Sequence, residues 1–251
     1  MKSTTVIIVI VFVILNMVLM LFVESKASTV LLYDNWYLVT VDKKNAGYCH
    51  ENMNKVNQKF AYKSVCEIEV SYLFFTYKYK QIESAVLTDE GLESFESQII
   101  EGDNETTVIG EVFPDYIQLV LRESKKGSRS FRLSKADFDS SSIEFNLPGW
   151  TGWIADGVEK SYKILDTGTG KIIETNIKPI GFKSVPYQNN QVKVQVIESY
   201  SEENGRRESW LTRQGILVFS EGDGLNLTLT DKEGLEKQLP KAMKTKLIGF
   251  R

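Results

Sequence analysis

The chain has 251 residues, 42% of them hydrophobic and 25% charged, with 30 basic against 33 acidic side chains, a net charge of −3 and one histidine. Charges of both signs are interspersed throughout, which excludes a nucleic-acid binder that works through a basic surface. Two cysteines and one histidine leave little material for metal or nucleophile chemistry.

Met1-Lys2 opens onto an apolar run, Val6 to Val23, broken only by Asn16. This reads as an export signal with two fates. The run is long enough to span a bilayer as an uncleaved anchor, and Ser25-Lys26-Ala27 supplies the small residues at which a signal peptide is cut. Either fate places the remainder in an oxidising compartment, exported and periplasmic or anchored facing the periplasm or exterior. Without Lys2, Lys26 and Glu24, 28 basic residues stand against 32 acidic ones, so residues 28–251 carry 28 − 32 = −4. Residues 1–27 form the signal or anchor, 28–231 a single antiparallel β domain with a candidate break near 134–157, and 232–251 a basic tail.

The first predicted strand is Trp36 to Val41, followed by a turn over 42–47 and a return arm from Gly47 to Glu51. The polar stretch Asn52 to Lys59 reads as a loop. Next comes Lys63 to Lys80, rich in β-branched and aromatic residues and free of Gly and Pro, which predicts one long central strand. Cys66, Ile68, Val70, Tyr72 and Phe74 share one face and Glu67, Glu69 and Ser71 the other. From Phe75 the bulky residues Phe75, Tyr77 and Tyr79 change parity, and a bulge near Leu73–Phe75 accounts for the switch. Glu67 and Glu69 read as a solvent-facing pair.

Strand and turn then alternate at short intervals, with turns at 88–91, 101–104, 114–115 and 125–127. Ser134 to Gly157 departs from this pattern. It links two sheets, or it lies as a flap over one with Trp150 and Trp153 packed inward, or those tryptophans simply anchor a loop. Beyond it, turns at 166–170, 186–190, 203–205, 214–215 and 221–224 separate further strands. Val192, Val194 and Val196, and Leu225, Leu227 and Leu229, alternate with polar neighbours, which marks one buried face and one wet face. In the tail, Leu235, Leu239, Met243 and Leu247 recur every four residues. That spacing suits a short amphipathic helix, Pro240 opposes a continuous one, and a solvated tail is the simpler reading.

Cys49 and Cys66 in an exported chain predict a disulfide. Strands pairing around Asn57 would bring them opposite one another, and closing the intervening loop is worth about 3 kcal/mol. A copper(I) site from Cys49, His50 and Met53 is the weaker alternative, because neighbours on a strand point to opposite faces.

Several pieces, in order, resemble a group of exported bacterial proteins of unknown function that are related in shape to the lipoprotein-carrier half-barrels (LolA and LolB-like). They are the Trp36-Tyr37…Val41-Asp42…Gly47 hairpin, Tyr77-Lys78-Tyr79 leading to Glu83 and Asp89 to Phe95, and Leu165-Asp166-Thr167-Gly168-Thr169-Gly170-Lys171. Val192 to Tyr200 then leads to Trp210, Gly215 to Val218 and Leu227-Thr228-Leu229. The resemblance implies an all-β fold, one strongly curved antiparallel sheet forming a half-barrel or open barrel around a hydrophobic hollow, and it implies no catalytic residues.

No Gly-x-Ser-x-Gly, phosphate-binding glycine loop or His-Glu-x-x-His occurs, and neither a catalytic residue, a cofactor nor a metal is expected. The reading that follows is a non-catalytic envelope protein holding a lipid or acyl chain on the concave face, lined by some of Tyr72, Phe74, Phe75, Trp150 and Trp153. The alternative is an accessory subunit, anchored in the membrane through residues 6–23, that assembles an envelope protein complex.

Overall fold

The computed structural model describes residues 29–147, 158–187 and 190–247. Among them fifteen strands form one sheet. The first eight are β1 (Thr29–Val41), β2 (Lys44–Val56), β3 (Lys59–Tyr72), β4 (Phe75–Thr88), β5 (Gly91–Glu101), β6 (Asn104–Val112), β7 (Tyr116–Glu123) and β8 (Gly127–Ser134). The others are β9 (Ser140–Ser141), β10 (Lys160–Asp166), β11 (Lys171–Tyr187), β12 (Asn190–Ser201), β13 (Gly205–Leu211), β14 (Leu217–Gly222) and β15 (Leu225–Thr230). The sheet order is β8-β7-β6-β5-β4-β3-β2-β1-β15-β14-β13-β12-β11-β10-β9. Two meanders are thus joined where β1 meets β15, and only the two-residue β9 pairs in parallel, with β10. The edges β8 and β9 do not pair with each other, so this is an open barrel rather than a closed one.

Residues of one parity on each strand line the concave side, as the two-residue repeat of a strand requires. Inside β4 to β7 the hollow is filled by Phe95, Val108, Leu119 and Leu121 with Met53, Tyr62 and Leu165. Phe95 stands between Ala85 on β4 and Gly110 on β6. A Cβ at Gly110 would lie 2.0 Å from the Phe95 ring, so the glycine is the space the ring occupies. The β10–β11 turn closes over this filling from the far wall. A Cβ at Gly170 would just touch Val108, Leu119 and Phe131, so the turn lies close over them, and Thr167 Oγ1 donates to Glu83 Oε1 at 2.9 Å. The short helix α1 (Ser142–Asn146), held by a Ser141/Glu144 capping box, ties in the same region, with Glu144 Oε1 accepting from the Leu92 N–H at 2.9 Å.

Lys63 to Lys80 is not one strand. β3 and β4 are the arms of a hairpin whose two-residue turn is Leu73-Phe74, with Tyr72 opposite Phe75 and Val70 opposite Tyr77. The parity change read as a bulge is the chain doubling back, which puts Phe75, Tyr77 and Tyr79 on the face already used by Ile68 and Val70. β2 pairs with β3 only as far as Gly47–Ile68, and β5 with β4 only as far as Tyr79–Glu101. Residues 69–78 therefore project beyond the rim as a two-stranded finger about 13 Å long. Leu73 and Phe74 at its apex are 95% and 96% exposed. Phe74 belongs to no buried face, so Phe74→Asp is expected to unfold in urea within about 0.5 kcal/mol of the wild type. A loss of several kcal/mol would mean that the apex is packed.

The predicted loop at 52–59 is also mostly strand. β2 runs on to Val56, and only Asn57 and Gln58 turn, with Asn57 at φ 59°. The tail residues fold into α2 (Lys232–Gln238) and α3 (Lys241–Leu247), separated at Pro240. Leu235, Leu239, Met243 and Leu247 pack on Trp36, Leu38 and Tyr48, the outward residues of β1 and β2, so the amphipathic half of the sequence reading is the one the fold uses and the solvated-tail half is not. Glu67, directly opposite Tyr48, is consequently not a solvent-facing residue. It is buried and bonded to Lys80 Nζ at 2.7 Å.

Candidate functional site: the lumen of the open barrel

The open half of the hollow lies between β1–β4 and β12–β15. At the finger end it is apolar, a cavity of about 610 Å³ walled by Val41, Ile68, Val70, Phe75, Tyr77 and Leu225. Deeper in, a second chamber of about 590 Å³ is lined by polar groups, among them Glu51, Ser64, Glu83, Thr175 and Ser199. The Cys49–Cys66 disulfide, Tyr79, Gln81, Arg207 and Leu227 line both. Sizes of this order are those of small-molecule sites.

The register explains why these side chains converge. Cys49 sits directly opposite Cys66, Val41 opposite Leu225 and Val70 opposite Tyr77, so inward residues on adjacent strands form continuous rows. The predicted disulfide is present, and it lies in the lumen wall. With Cys49 committed to it, the copper alternative loses its thiolate. His50 points the other way, stacked on Trp36 with ring centroids 3.7 Å apart and paired with Asp34.

Electrostatics divide the lumen further. Burial, reinforced by the neighbouring Glu83 charge, pushes the Glu51 carboxyl up from 4.5 to about 7. Glu83 is raised by the same burial, against the hydrogen bond from Thr167 that favours its charged form. Burial likewise raises Tyr33, Tyr37 and Tyr62, with Glu51 adding to each, so these phenols stay protonated. A carboxyl with a raised folded-state pKa binds its proton more tightly in the folded chain. That contribution to stability is complete below about pH 4.5 and is lost as the pH rises to about 7. Glu51→Gln is therefore expected to raise stability at pH 8 by about 2 kcal/mol, after allowance for screening by lumen water. It should also flatten the fall in urea midpoint between about pH 5 and 7, leaving only the part due to Glu83. An unchanged pH profile would place Glu51 in water.

Of the residues expected on the concave face, Phe75 lines the apolar cavity and Phe74 stands at the finger apex, away from it. The Tyr72 side chain, Trp150 and Trp153 lie outside the described residues. Residues not singled out from sequence make up most of the wall. Leu225 and Leu227 carried a signal, the clean alternation of β15. Arg207 and Glu51 carried none, since a single charge in a strand reads as an outward residue.

An antiparallel sheet curled around a partly filled hollow, with an apolar mouth, defines a β-barrel-like protein. The sequence matches the family described as Domain of unknown function (DUF6134) over residues 37–224, and the chain belongs to that family. Among solved structures it is similar to the beta-barrel-like protein of Domain of Unknown Function DUF1849 from Brucella abortus. That likeness has a TM-score of 0.60 at 12% sequence identity and covers 79% of this chain and 95% of the other, which speaks to the fold. A comparison with curated proteins returned no match.

Proposed function

We propose that this is an exported, non-catalytic envelope protein that holds a lipid or acyl chain in the lumen of its open barrel. The observation that carries the reading is the roughly 610 Å³ apolar cavity, which opens at the base of the finger and whose wall continues along Val70, Phe75 and Tyr77 onto the finger itself. Water in such a cavity is displaced at a gain of about 25 cal/mol per Å² of apolar surface covered. The Cys49–Cys66 disulfide supports an oxidising compartment, and the apolar run Val6 to Val23 supports passage through or attachment to a membrane.

A second reading, the membrane-anchored assembly subunit, is favoured by one feature, the exposed Leu73-Phe74 apex, which offers a partner protein a protruding apolar contact. Mass spectrometry of protein taken gently from its native envelope separates the two. A chain beginning at Ser28 with a copurifying lipid is the result expected of the carrier. A chain that retains Met1 to Val23, carries no lipid and fails to bind the neutral apolar dye N-phenylnaphthylamine would overturn it in favour of the subunit.

A further inference from the structure

Arg207 stands where the lumen's chambers meet. It lines the apolar cavity, the polar chamber and a third recess of about 220 Å³ beside them, and it is the one cation among the described residues lining any of the three. Its strand placement is enforced by pairing, with Ser199 of β12 opposite on one side and Gly222 of β14 on the other. A Cβ at Gly222 would come within 3.2 Å of the Arg207 Cβ, so a glycine there leaves the guanidinium stem its room.

A guanidinium has five N–H donors in a planar fork. Among the described residues Arg207 makes one hydrogen bond, from Nη1 to Ser220 Oγ at 3.3 Å. The charge nearest in effect is Asp223, which lines the apolar cavity beside Arg207 from the exposed β14–β15 turn, where water screens it. Hydroxyls surround the arginine on the same inward face. Ser199 is its cross-strand neighbour, and Ser209 and Ser220 lie opposite each other with their oxygens 3.1 Å apart. Burial disfavours the arginine's charged form, as expected of a cation that the protein has taken partly out of water. Donors held in a partly desolvated wall with few acceptors are the usual construction for an oxyanion, and a planar fork suits a carboxylate or phosphate in particular.

On the finger side of Arg207 the wall turns apolar at once, through Leu227 and Leu225 to Val41, Ile68 and Val70. We propose that Arg207, with Ser199 and the Ser209–Ser220 pair, binds the anionic head, carboxylate or phosphate, of an amphiphile whose chain lies in the apolar cavity and points towards the finger. Of the three spaces, Glu83 and Asp166 line only the polar chamber, whereas Glu51 lines both that chamber and the recess, with its carboxyl pushed up to about 7 by burial, so a head seated where the apolar cavity begins meets the one cation. This assignment rests on the proposed ligand-holding function and adds the class of ligand and its orientation.

The test measures displacement of N-phenylnaphthylamine from the full chain by palmitate, by lysophosphatidate and by hexadecanol, which shares palmitate's chain without its charge. Palmitate or lysophosphatidate is expected to compete at least tenfold better than hexadecanol, and which of the two does so distinguishes a carboxylate from a phosphate head. In Arg207→Gln that preference should disappear while affinity for the dye and for hexadecanol is kept. Arg207→Lys should keep part of it. If the dye binds but hexadecanol competes as well as both anions in the wild type, the head-group assignment is wrong and the apolar site stands. If the dye does not bind at all, the ligand-holding function itself fails. The wild-type comparison decides the matter even if Arg207→Gln does not fold.

Discussion

Phe95→Ala is expected to lower the free energy of unfolding by about 3–5 kcal/mol, the cost of removing a buried phenyl ring and leaving the space unfilled. The ring is 3% exposed and central to the apolar filling of β4 to β7. It cannot be replaced by relaxation, because the strands on either side are fixed by ladders to Ala85 and Gly110 and the β10–β11 turn is braced across the top by Thr167 and Gly170. Gly110→Ala tests the same contact from the other partner. Its new methyl would overlap the ring, with the Cβ at 2.0 Å, so the single variant should be destabilised by about 1–3 kcal/mol. In the Phe95→Ala background the methyl enters the space the ring vacated, and the double variant should be more stable than the sum of the singles by about 1 kcal/mol or more. Additive losses in urea melts would mean that ring and glycine do not share one space. The filled half would then be looser than the packing described here.

This filling explains which parts of the architecture can be read from the chain. The turns at 166–170, 203–205 and 221–224 are visible because Asp, Asn and Gly supply left-handed backbone there, as Asp223 and Gly224 do at φ 49° and 78°. Alternation along Val192–Val196 and Leu225–Leu229 is visible because one face of each strand is dry. The Leu73-Phe74 turn is invisible for the opposite reason. Neither residue needs positive φ, and both are apolar because the finger projects from the rim, so the local chemistry is that of a strand. Asn52 to Val56 misleads in the other direction, since Met53 is the one buried side chain of the stretch, joining the apolar filling, and its neighbours Asn52, Asn54 and Lys55 are polar, so no hydrophobic period shows.

The candidate site follows the same rule. Val70 and Phe75 are legible as bulky residues of a strand, whereas Arg207, Glu51 and Glu83 acquire meaning only when β13 is carried around to face β2 and β4. Curvature is a property of the whole sheet, and no short stretch of sequence encodes it. The disulfide was legible because a pairing centred on Asn57 is a local matter, decided within one hairpin.

That hairpin is the setting for the second large effect. Replacing Cys49 and Cys66 together by serine is expected to cost about 3 kcal/mol, the chain-entropy value for a cross-link across a sequence separation of 17. For a chain of this size, that is a fall of about 6–12 °C in Tm. The native ladder supplies no substitute restraint, because β2 and β3 are already fully paired through this register, and the benefit of the cross-link lies in the unfolded chain it restricts. Two consequences separate this account from a merely local packing role. Reduction of the wild type with dithiothreitol should lower the urea midpoint as much as the double substitution does, and dithiothreitol should leave the double variant unmoved. Because the bridge lines both the apolar cavity and the polar chamber, the double variant places two hydroxyls in the lumen wall, and dye affinity should weaken even at temperatures where the variant is fully folded. Should stability fall while dye affinity holds, the cross-link acts only on the unfolded chain and the disulfide wall is not part of the ligand's path.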